Sequence, residues 1–179
     1  MRIEIGCTWD GQELAAAERS FLDLSMQGDT LEVSMEAPFG GDRAPPQPPG
    51  STPGLWEYEV LELFLLGADQ KYTEMEFGPF GHYLVLQLKG ERQVVRQGMA
   101  IEFVAERSPE RWKGRARIPA SLLPSVVALN AYAIHGTGKN RTWLAHVPVP
   151  GPAPDFHQLA RFRTVSWPPY SLSGKFTSP

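Results

Sequence analysis

The sequence predicts an all-β fold built from antiparallel strands, and two observations support this. Many short segments alternate apolar and polar residues, which is the period-two pattern of strands with one face on a core. Glycine and proline, 17 of each among 179 residues, separate these segments. No stretch predicts a helix longer than about eight residues. Short strands at regular spacing with Gly/Pro turns are typical of a sandwich or barrel, and the length fits one domain, residues 1–179.

Composition argues against several classes of partner. The net charge is −3 and no basic block or nucleic-acid-binding motif is present, so nucleic acid is not an expected partner. No apolar run approaches the roughly 18–20 residues of a membrane helix, and the N-terminal residues lack a signal-peptide pattern. The single cysteine, Cys7, excludes an intrachain disulfide framework. We therefore expect a cytoplasmic protein that does not bind membranes.

The strands outside the central region are predicted from the same alternation. A Pro-Ala-Ser-Leu-Leu segment at 119–123 predicts one helical turn, because proline is favoured at the first helical position. Residues 166–179 are expected to form a surface tail. The predicted strands are 2–8, 21–26, 31–37, 93–97, 100–106, 112–118, 128–134 and 142–147.

A proline-rich loop is predicted at residues 39–55. Its central part, GGDRAPPQPPGSTPG, contains five prolines, which cannot donate backbone hydrogen bonds to a sheet. Loops of this length inside a compact domain are usually functional or disordered. Because the loop leads towards the strand that contains Glu62, we expect residues 42–54 to pack over or beside the acidic face of the sheet as a lid.

Residues 54–90 predict three consecutive antiparallel strands that organise the rest of the chain. A five-residue loop at 67–71 would pair Leu61 with Phe77 and Leu63 with Met75 across the first hairpin. A slip of one residue would turn a whole apolar row outwards, so this register is favoured.

The second hairpin of this region is predicted from the same reasoning. A four-residue loop at 79–82 would pair Phe77 with Leu84 and Met75 with Leu86. On this register Leu84, Leu86 and Leu88 would face the core, and Tyr83, Val85, Gln87 and Lys89 would lie on the opposite face.

The opposite face of these strands carries three carboxylates, and it is the best candidate for recognition. The register places Glu62 opposite Glu76 and Phe64 opposite Glu74, with Tyr72 alongside. Two like charges directly opposite each other cost about 0.2–1 kcal/mol unless they are neutralised. The face is therefore either a solvated surface with arginines nearby or a site for a cation, a basic partner or a hydrogen-bonding ligand.

Several short motifs in a fixed order resemble a known group of proteins. They are ELF at 62–64, YTEMEFGPFG at 72–81, WKGRARIPASLL at 112–123, NAYAIHG at 130–136, TW at 142–143 and DFHQLARF at 155–162. In this order they resemble family 9 carbohydrate-binding modules and the wider DOMON-like β-sandwich group. The resemblance is greatest to an uncharacterised family of standalone domains that carry GLWEYEV after a proline-rich loop.

The resemblance implies a jelly-roll-like sandwich whose relatives clamp sugar termini between tryptophans, some with structural calcium. Trp143 and Trp56 stand where the two aromatic residues are expected. Arg115 occupies a position where the family usually has an acid. The remaining ligand-binding candidates are Glu62, Tyr72, Glu74, Glu76, Asn130 and Arg141, with Arg115, His135 and His157 as supporting residues.

The favoured function is therefore a noncatalytic module that binds a carbohydrate or a sugar-like small molecule. The first alternative is an intracellular protein-interaction or scaffold domain, and the second is an enzyme that acts on a sugar derivative through paired glutamates. No cofactor is predicted, because the four histidines lack metal-ligand spacing. The basic row of Lys113, Arg115 and Arg117 is expected to neutralise the carboxylates, and a bound Ca²⁺ is the alternative.

Overall fold

The strands form two sheets that face each other across a hydrophobic core. A computed structural model describes residues 1–168. The predicted tail at 166–179 therefore lies mostly outside the described residues. One sheet has five antiparallel strands, in the spatial order β1 (Arg2–Ile5), β3 (Ser20–Gln27), β4 (Thr30–Pro38), β11 (Arg111–Pro119) and β10 (Glu102–Arg107).

The other sheet has nine strands, and its centre is the three-stranded region predicted from the sequence. Two short strands lie beside its main path: β9 (Val94–Gln97) pairs with β8, and β14 (Arg163–Thr164) pairs with β12. All neighbours are antiparallel except β5 and β8. The main path runs β2 (Cys7–Thr8), β13 (Thr142–Ala145), β12 (Val126–His135), β6 (Val60–Gly67), β7 (Lys71–Phe77), β8 (His82–Lys89) and β5 (Gly50–Ser51). The predicted all-β sandwich is confirmed.

In the described part of the chain, helical structure consists of single turns. Each turn is a three-residue 3₁₀ helix, and the one predicted at 119–123 is present. No helix within residues 1–168 is long and apolar enough to cross a membrane. The turns are Ala16–Glu18, Leu55–Glu57, Ala120–Leu122, Gly138–Asn140 and Leu159–Arg161.

The first core lies between the sheets and follows the predicted alternation. On β11, Trp112 and Ile118 are buried while Arg115 and Arg117 are exposed. The apolar rows of β6 and β7, with Leu63 opposite Met75, contribute to this core from the other sheet.

The first strand differs from the prediction, because the chain changes sheets within residues 2–8. Strand β1 ends at Ile5 and pairs with β3, whereas β2 begins at Cys7 and pairs with β13. Gly6 lies between them. One continuous alternating segment therefore contributes to both layers, which the alternation alone does not reveal.

The proline-rich loop lies along the edge of the nine-stranded sheet. The Gly50 amide donates to the Gly81 carbonyl over 3.1 Å, and the Thr52 amide donates to the Tyr83 carbonyl over 2.8 Å. These bonds make β5 a short parallel partner of β8. No residue of 42–54 lines the cavity described below, so the expectation of a lid is wrong. The segment is held at the sheet edge by backbone hydrogen bonds.

The register of the first central hairpin is confirmed, and that of the second is wrong by one residue. Leu61 pairs with Phe77 as expected, but Phe77 pairs with Tyr83 rather than Leu84. The loop contains three residues, 79–81, because the Gly78 amide donates to the His82 carbonyl over 2.8 Å.

A glycine explains the shorter loop. Gly81 has a φ of +82°, the left-handed conformation that a three-residue hairpin requires at its last position. The consequence is that Leu84, Leu86 and Leu88 lie on the same face as the three glutamates, and Tyr83 and Val85 lie towards the first core.

Candidate functional site: a cavity above buried glutamates

The face that carries the three glutamates is buried and forms a second hydrophobic core. The chain after β13 covers it, with Val149, Phe156 and Phe162 packed against the strands. Phe64 lies at the centre and is fully buried. Its ring lies against those of Tyr72, Tyr132, His157 and Phe162, with centroids 5.2–6.1 Å apart. The interpretation of this face as a solvated surface is therefore wrong.

The three carboxylates converge within this apolar surrounding. Glu62 pairs with Glu76 across β6 and β7, and Phe64 pairs with Glu74, both as predicted. Glu62, Glu74 and Glu76 are 2%, 4% and 0% exposed. Each offers an oxygen within 4.8 Å of the others. They form one cluster, called the glutamate cluster below.

Burial and mutual repulsion both favour the protonated forms of the glutamate cluster. Burial raises the pKa of Glu74 to about 8, while Arg92 opposes the shift. Burial, followed by the charge of Glu74, raises the pKa of Glu62 well above its ordinary value. Burial, followed by the charges of Glu62 and Glu74, does the same for the pKa of Glu76. Without a proton, neither oxygen of Glu76 nor Oε2 of Glu74 has a hydrogen-bond donor.

The predicted compensation by the basic row of β11 is wrong, because that row lies on the other sheet. Arg115 is exposed and pairs in register with Ser34 of β4, on the outer face of the five-stranded sheet. Among residues 1–168, no ion pair includes a member of the glutamate cluster. The alternation of β11 correctly predicted two faces, but it could not specify which sheet the strand joins.

A cavity of about 350 Å³ opens above the glutamate cluster. Glu62 and Glu74 line it, whereas Glu76 is fully buried and does not. The walls are formed by the turn Leu55–Glu57, strands β6, β7, β8, β12 and β13, the region after β8, and the covering segment at 154–157. The lining residues are Trp56, Glu62, Glu74, Leu86, Leu88, Arg92, Val94, Ile134, Trp143, Pro154, Phe156 and His157.

Both predicted tryptophans line this cavity. Trp56 is 41% exposed and Trp143 is partly exposed, so neither is an ordinary core residue. Arg141 connects their segments: its guanidinium donates to the carbonyls of Trp56 and Glu57, the latter over 2.9 Å. The same guanidinium lies 6.0 Å from the ring centroid of Trp143. Arg141 therefore holds the wall of the cavity and does not itself line it.

Tyr72 and His157 form a fixed pair beside the cavity. The Tyr72 hydroxyl lies 2.7 Å from Nδ1 of His157 and accepts the Arg92 amide over 3.2 Å. Burial, reinforced by the charge of Arg92, lowers the pKa of His157 to about 4, so the ring is neutral at pH 7. This contact is therefore a hydrogen bond between a neutral imidazole and a phenol, and the tautomer of His157 determines which of the two groups donates.

Asn130 lies on the same face but its hydrogen bonds are used within the protein. It is fully buried, and its amide donates to the Tyr132 hydroxyl over 2.8 Å and to the Val147 carbonyl over 3.0 Å. Its oxygen accepts the amides of Ala131 and Val147, each over 2.9 Å. The structure thus gives Asn130 a role in joining β12 to the chain that follows β13.

His135 is not brought to the cavity. It follows Ile134 on β12 and lies on the other side of the strand, near Gly40 and Glu59. Burial lowers the pKa of His135 and raises that of Glu59 to about 7. The Glu59 carboxylate accepts the Gly40 amide over 2.9 Å.

Arg92 is the main functional candidate that sequence reasoning missed. Its guanidinium lies 2.7 Å from the Asp155 carboxylate, and this ion pair connects the region after β8 to the covering segment. The apolar lining was also missed, because the one-residue error in β8 placed Leu86 and Leu88 on the wrong face. The combination of glycines at 78 and 81 is the signal that would have identified the shorter loop.

Comparison with known proteins identifies relatives and a fold neighbour. No family model matches the chain. A crystal structure from Bacteroides uniformis, described as that of a candidate carbohydrate-binding protein, superposes with a TM-score of 0.67 at 17% identity, over 81% of this chain and 76% of that one. This likeness shows the sandwich fold.

Sequence relatives extend over most of the chain. The human protein UPF0462 C4orf33 is 37% identical over 180 residues, covering 93% of this chain and 88% of the relative. The Danio rerio homologue is 39% identical over 145 residues, covering 75% and 74% respectively. The chain therefore belongs to the UPF0462 family.

Proposed function

We propose that the protein is a noncatalytic binding module whose cavity takes a carbohydrate or a sugar-like small molecule. The observation that carries the proposal is the placement of two partly exposed tryptophans, Trp56 and Trp143, in one cavity above buried carboxylates. A volume of about 350 Å³ falls within the range of small-molecule sites, about 300–1,000 Å³.

The lining matches the two kinds of surface that a sugar presents. Its C–H faces are flat and apolar, and indole rings offer matching area and geometry. Its hydroxyls are hydrogen-bond donors, and Glu62 and Glu74 provide acceptor oxygens that reach the cavity. Arg92 also lines the cavity, and its guanidinium can donate hydrogen bonds to the ring oxygen or the hydroxyl oxygens of a sugar.

Two resemblances support the choice of ligand class. The ordered motifs are similar to those of family 9 carbohydrate-binding modules, in which tryptophans clamp sugar termini. The Bacteroides uniformis neighbour, which shares the fold, is itself described as a candidate carbohydrate-binding protein.

A second cavity of about 390 Å³ is a less suitable site. It lies on the outer face of the five-stranded sheet, and Arg115 and Phe21 are among its lining residues. Charged residues of that face pair with one another, as Lys113 does with Glu36. Phe21, the aromatic residue of this second cavity, provides a matched control for substitutions of the two tryptophans.

The test is a calorimetric or fluorescence titration of the full chain with a panel of mono- and disaccharides. We expect at least one sugar to bind, and Trp143→Ala to weaken that affinity about tenfold or more, since a stacked aromatic contributes on the order of 1–2 kcal/mol. Phe21→Ala, which removes an aromatic ring from the second cavity, should leave the affinity unchanged.

Two outcomes would replace the proposal. Absence of binding by every sugar, together with capture of a protein partner that Trp56→Ala abolishes, would favour the interaction-domain alternative. Accumulation of a product from a bound glycoside or sugar phosphate, lost in Glu62→Gln, would show an enzyme.

A further inference from the structure

The glutamate cluster lacks the partners that buried carboxylates normally have. Across residues 1–168 its nearest arginines are engaged elsewhere: Arg141 with the carbonyls of Trp56 and Glu57, and Arg92 with Asp155. Buried charges are ordinarily paired or coordinate a metal. The cluster therefore requires either protons or a cation from solution.

The spacing of the three carboxylates suits a single ion. Their nearest oxygens all lie within 4.8 Å of one another. Oxygens bound to one Ca²⁺ at about 2.3–2.6 Å can be at most about 5 Å apart. A spacing in this range is compatible with one cation that contacts all three side chains.

The burial of Glu76 is an independent observation that points to a ligand. Its side chain is 0% exposed, and neither of its oxygens has a hydrogen-bond donor. It is held against Glu62 by the strand register. The Trp56 amide lies close enough to lower the pKa of Glu76 slightly, but it does not donate with normal hydrogen-bond geometry. A cation between these carboxylates would therefore satisfy oxygens that lack a well-placed donor among the described residues.

We propose that Glu62, Glu74 and Glu76 bind a divalent cation, preferentially Ca²⁺, at the floor of the tryptophan-lined cavity. The cavity supplies a route for the ion, because Glu62 and Glu74 reach it. Coordination positions left by the glutamates face the cavity side and take water or a ligand hydroxyl. Binding of the ion itself does not depend on the sugar.

The ligand atoms decide the type of cation. Three carboxylates offer up to six oxygens, which matches the six to eight that Ca²⁺ takes in flexible geometry. Zn²⁺ favours nitrogen and sulfur ligands, and the cluster contains neither. An organic ammonium could also donate to three oxygens, and the experiment below separates it from Ca²⁺.

The experiment measures the melting temperature of the full chain at pH 7.5 in a chelator and then with Ca²⁺ alone. We expect a rise of about 5–10 °C when Ca²⁺ is about 100 times its Kd. Glu76→Gln, which keeps the shape of the buried side chain, should remove that rise. Glu59→Gln is the matched control: Glu59 is also buried at 5% exposure but lies outside the cluster, so the rise should persist.

A second measurement keeps the proposal testable if Glu76→Gln does not fold. Calorimetric titration of the unaltered protein with Ca²⁺ should give one site per chain, and Glu62→Gln should weaken it at least tenfold. The proposal is overturned if Ca²⁺ neither binds nor raises the melting temperature, if Glu76→Gln retains the full rise, or if methylammonium stabilises the protein where Ca²⁺ does not. Because no sugar is present, these outcomes are independent of the sugar titration.

Discussion

Glutamates lie in rows on both sheets, but the two rows are compensated differently. On the outer face of the five-stranded sheet, Arg111 and Lys113 lie 2.8 and 3.7 Å from Glu36. Arg117 lies 3.6 Å from Glu32 and 3.3 Å from Glu102. In the glutamate cluster of the nine-stranded sheet, no member has such a partner among residues 1–168.

The difference separates a charged surface from a candidate site. Cross-strand ion pairs in water keep a sheet face soluble and contribute about 0–1 kcal/mol each. Carboxylates buried beside Phe64 and Leu86 cost free energy unless a proton or cation accompanies them. Their presence in an apolar surrounding is consistent with a role in binding.

The largest expected effect is a difference in the loss of stability when an apolar side chain is truncated on each of these two faces. Phe64→Ala should lower the free energy of unfolding by about 3–5 kcal/mol, because Phe64 is fully buried among four rings. Val104→Ala, on the outer face of the five-stranded sheet and 64% exposed, should change it by less than about 0.5 kcal/mol. Urea denaturation measures both, and similar losses would show that the glutamate-bearing face is not a core.

The second effect is the pH dependence of stability in the presence of a chelator. The pKa of Glu74 is about 8 in the folded protein and about 4.5 in the unfolded chain, so the folded state binds more protons between these values. Stability from this group is complete below about pH 4.5 and is lost as pH rises through about 8. Between pH 5 and pH 8 we expect a decline on the order of 3–4 kcal/mol.

Denaturation at pH 5, 6, 7 and 8 measures this decline. Glu74→Gln should reduce the slope, and the remainder should include Glu59, whose pKa is raised to about 7. A stability that rises from pH 5 to 8 in the chelator would contradict the buried, unpaired state of the cluster. Added Ca²⁺ should diminish the decline, because it binds the deprotonated form.

The third effect contrasts equivalent substitutions in the two rows. At pH 8 in a chelator, Glu76→Gln should raise the free energy of unfolding by about 1–2 kcal/mol, because the buried carboxyl must either carry an unpaired charge or hold a proton that the unfolded chain releases at this pH. Glu36→Gln should lower it by about 0.2–1 kcal/mol, since it removes two ion pairs. A loss of stability in both variants would mean that the cluster is compensated by a group that the described residues do not include.

The smallest effect is that of salt on the outer row. The Debye length shortens from about 10 Å at 0.1 M to about 3 Å at 1 M, so exposed pairs are screened. The destabilisation by Glu36→Gln should therefore decrease in 1 M NaCl, whereas the effect of Glu76→Gln should change little. Equal salt sensitivity of the two variants would indicate that both carboxylates face water.

The sequence was sufficient for the fold class and for most strand faces. Alternation along β11 predicted that Trp112 is buried and that Arg115 is exposed. The five-residue loop at 67–71 predicted the pairing of Glu62 with Glu76. These features depend on local periodicity and on turn length. Both are properties that neighbouring residues determine.

The remaining features depend on contacts between distant segments. The covering of the acidic face by Phe156 and Phe162 requires knowledge of where residues 147–162 return to the sheet. The placement of Arg115 on the other sheet likewise follows from strand order, which alternation does not encode. The shorter loop at Gly81 was a local feature that could have been read from its glycines, and it moved Leu86 into the site.

The most direct test of the cavity as the binding site is a ¹H–¹⁵N spectrum of the five tryptophan indoles during a sugar titration. The indole signals of Trp56 and Trp143 should shift together with one binding curve. The signal of Trp112, which is 1% exposed in the first core, should stay in place. Absence of any shift at Trp56 and Trp143 across the sugar panel, or shifts confined to the other indoles, would contradict a binding site between these two residues.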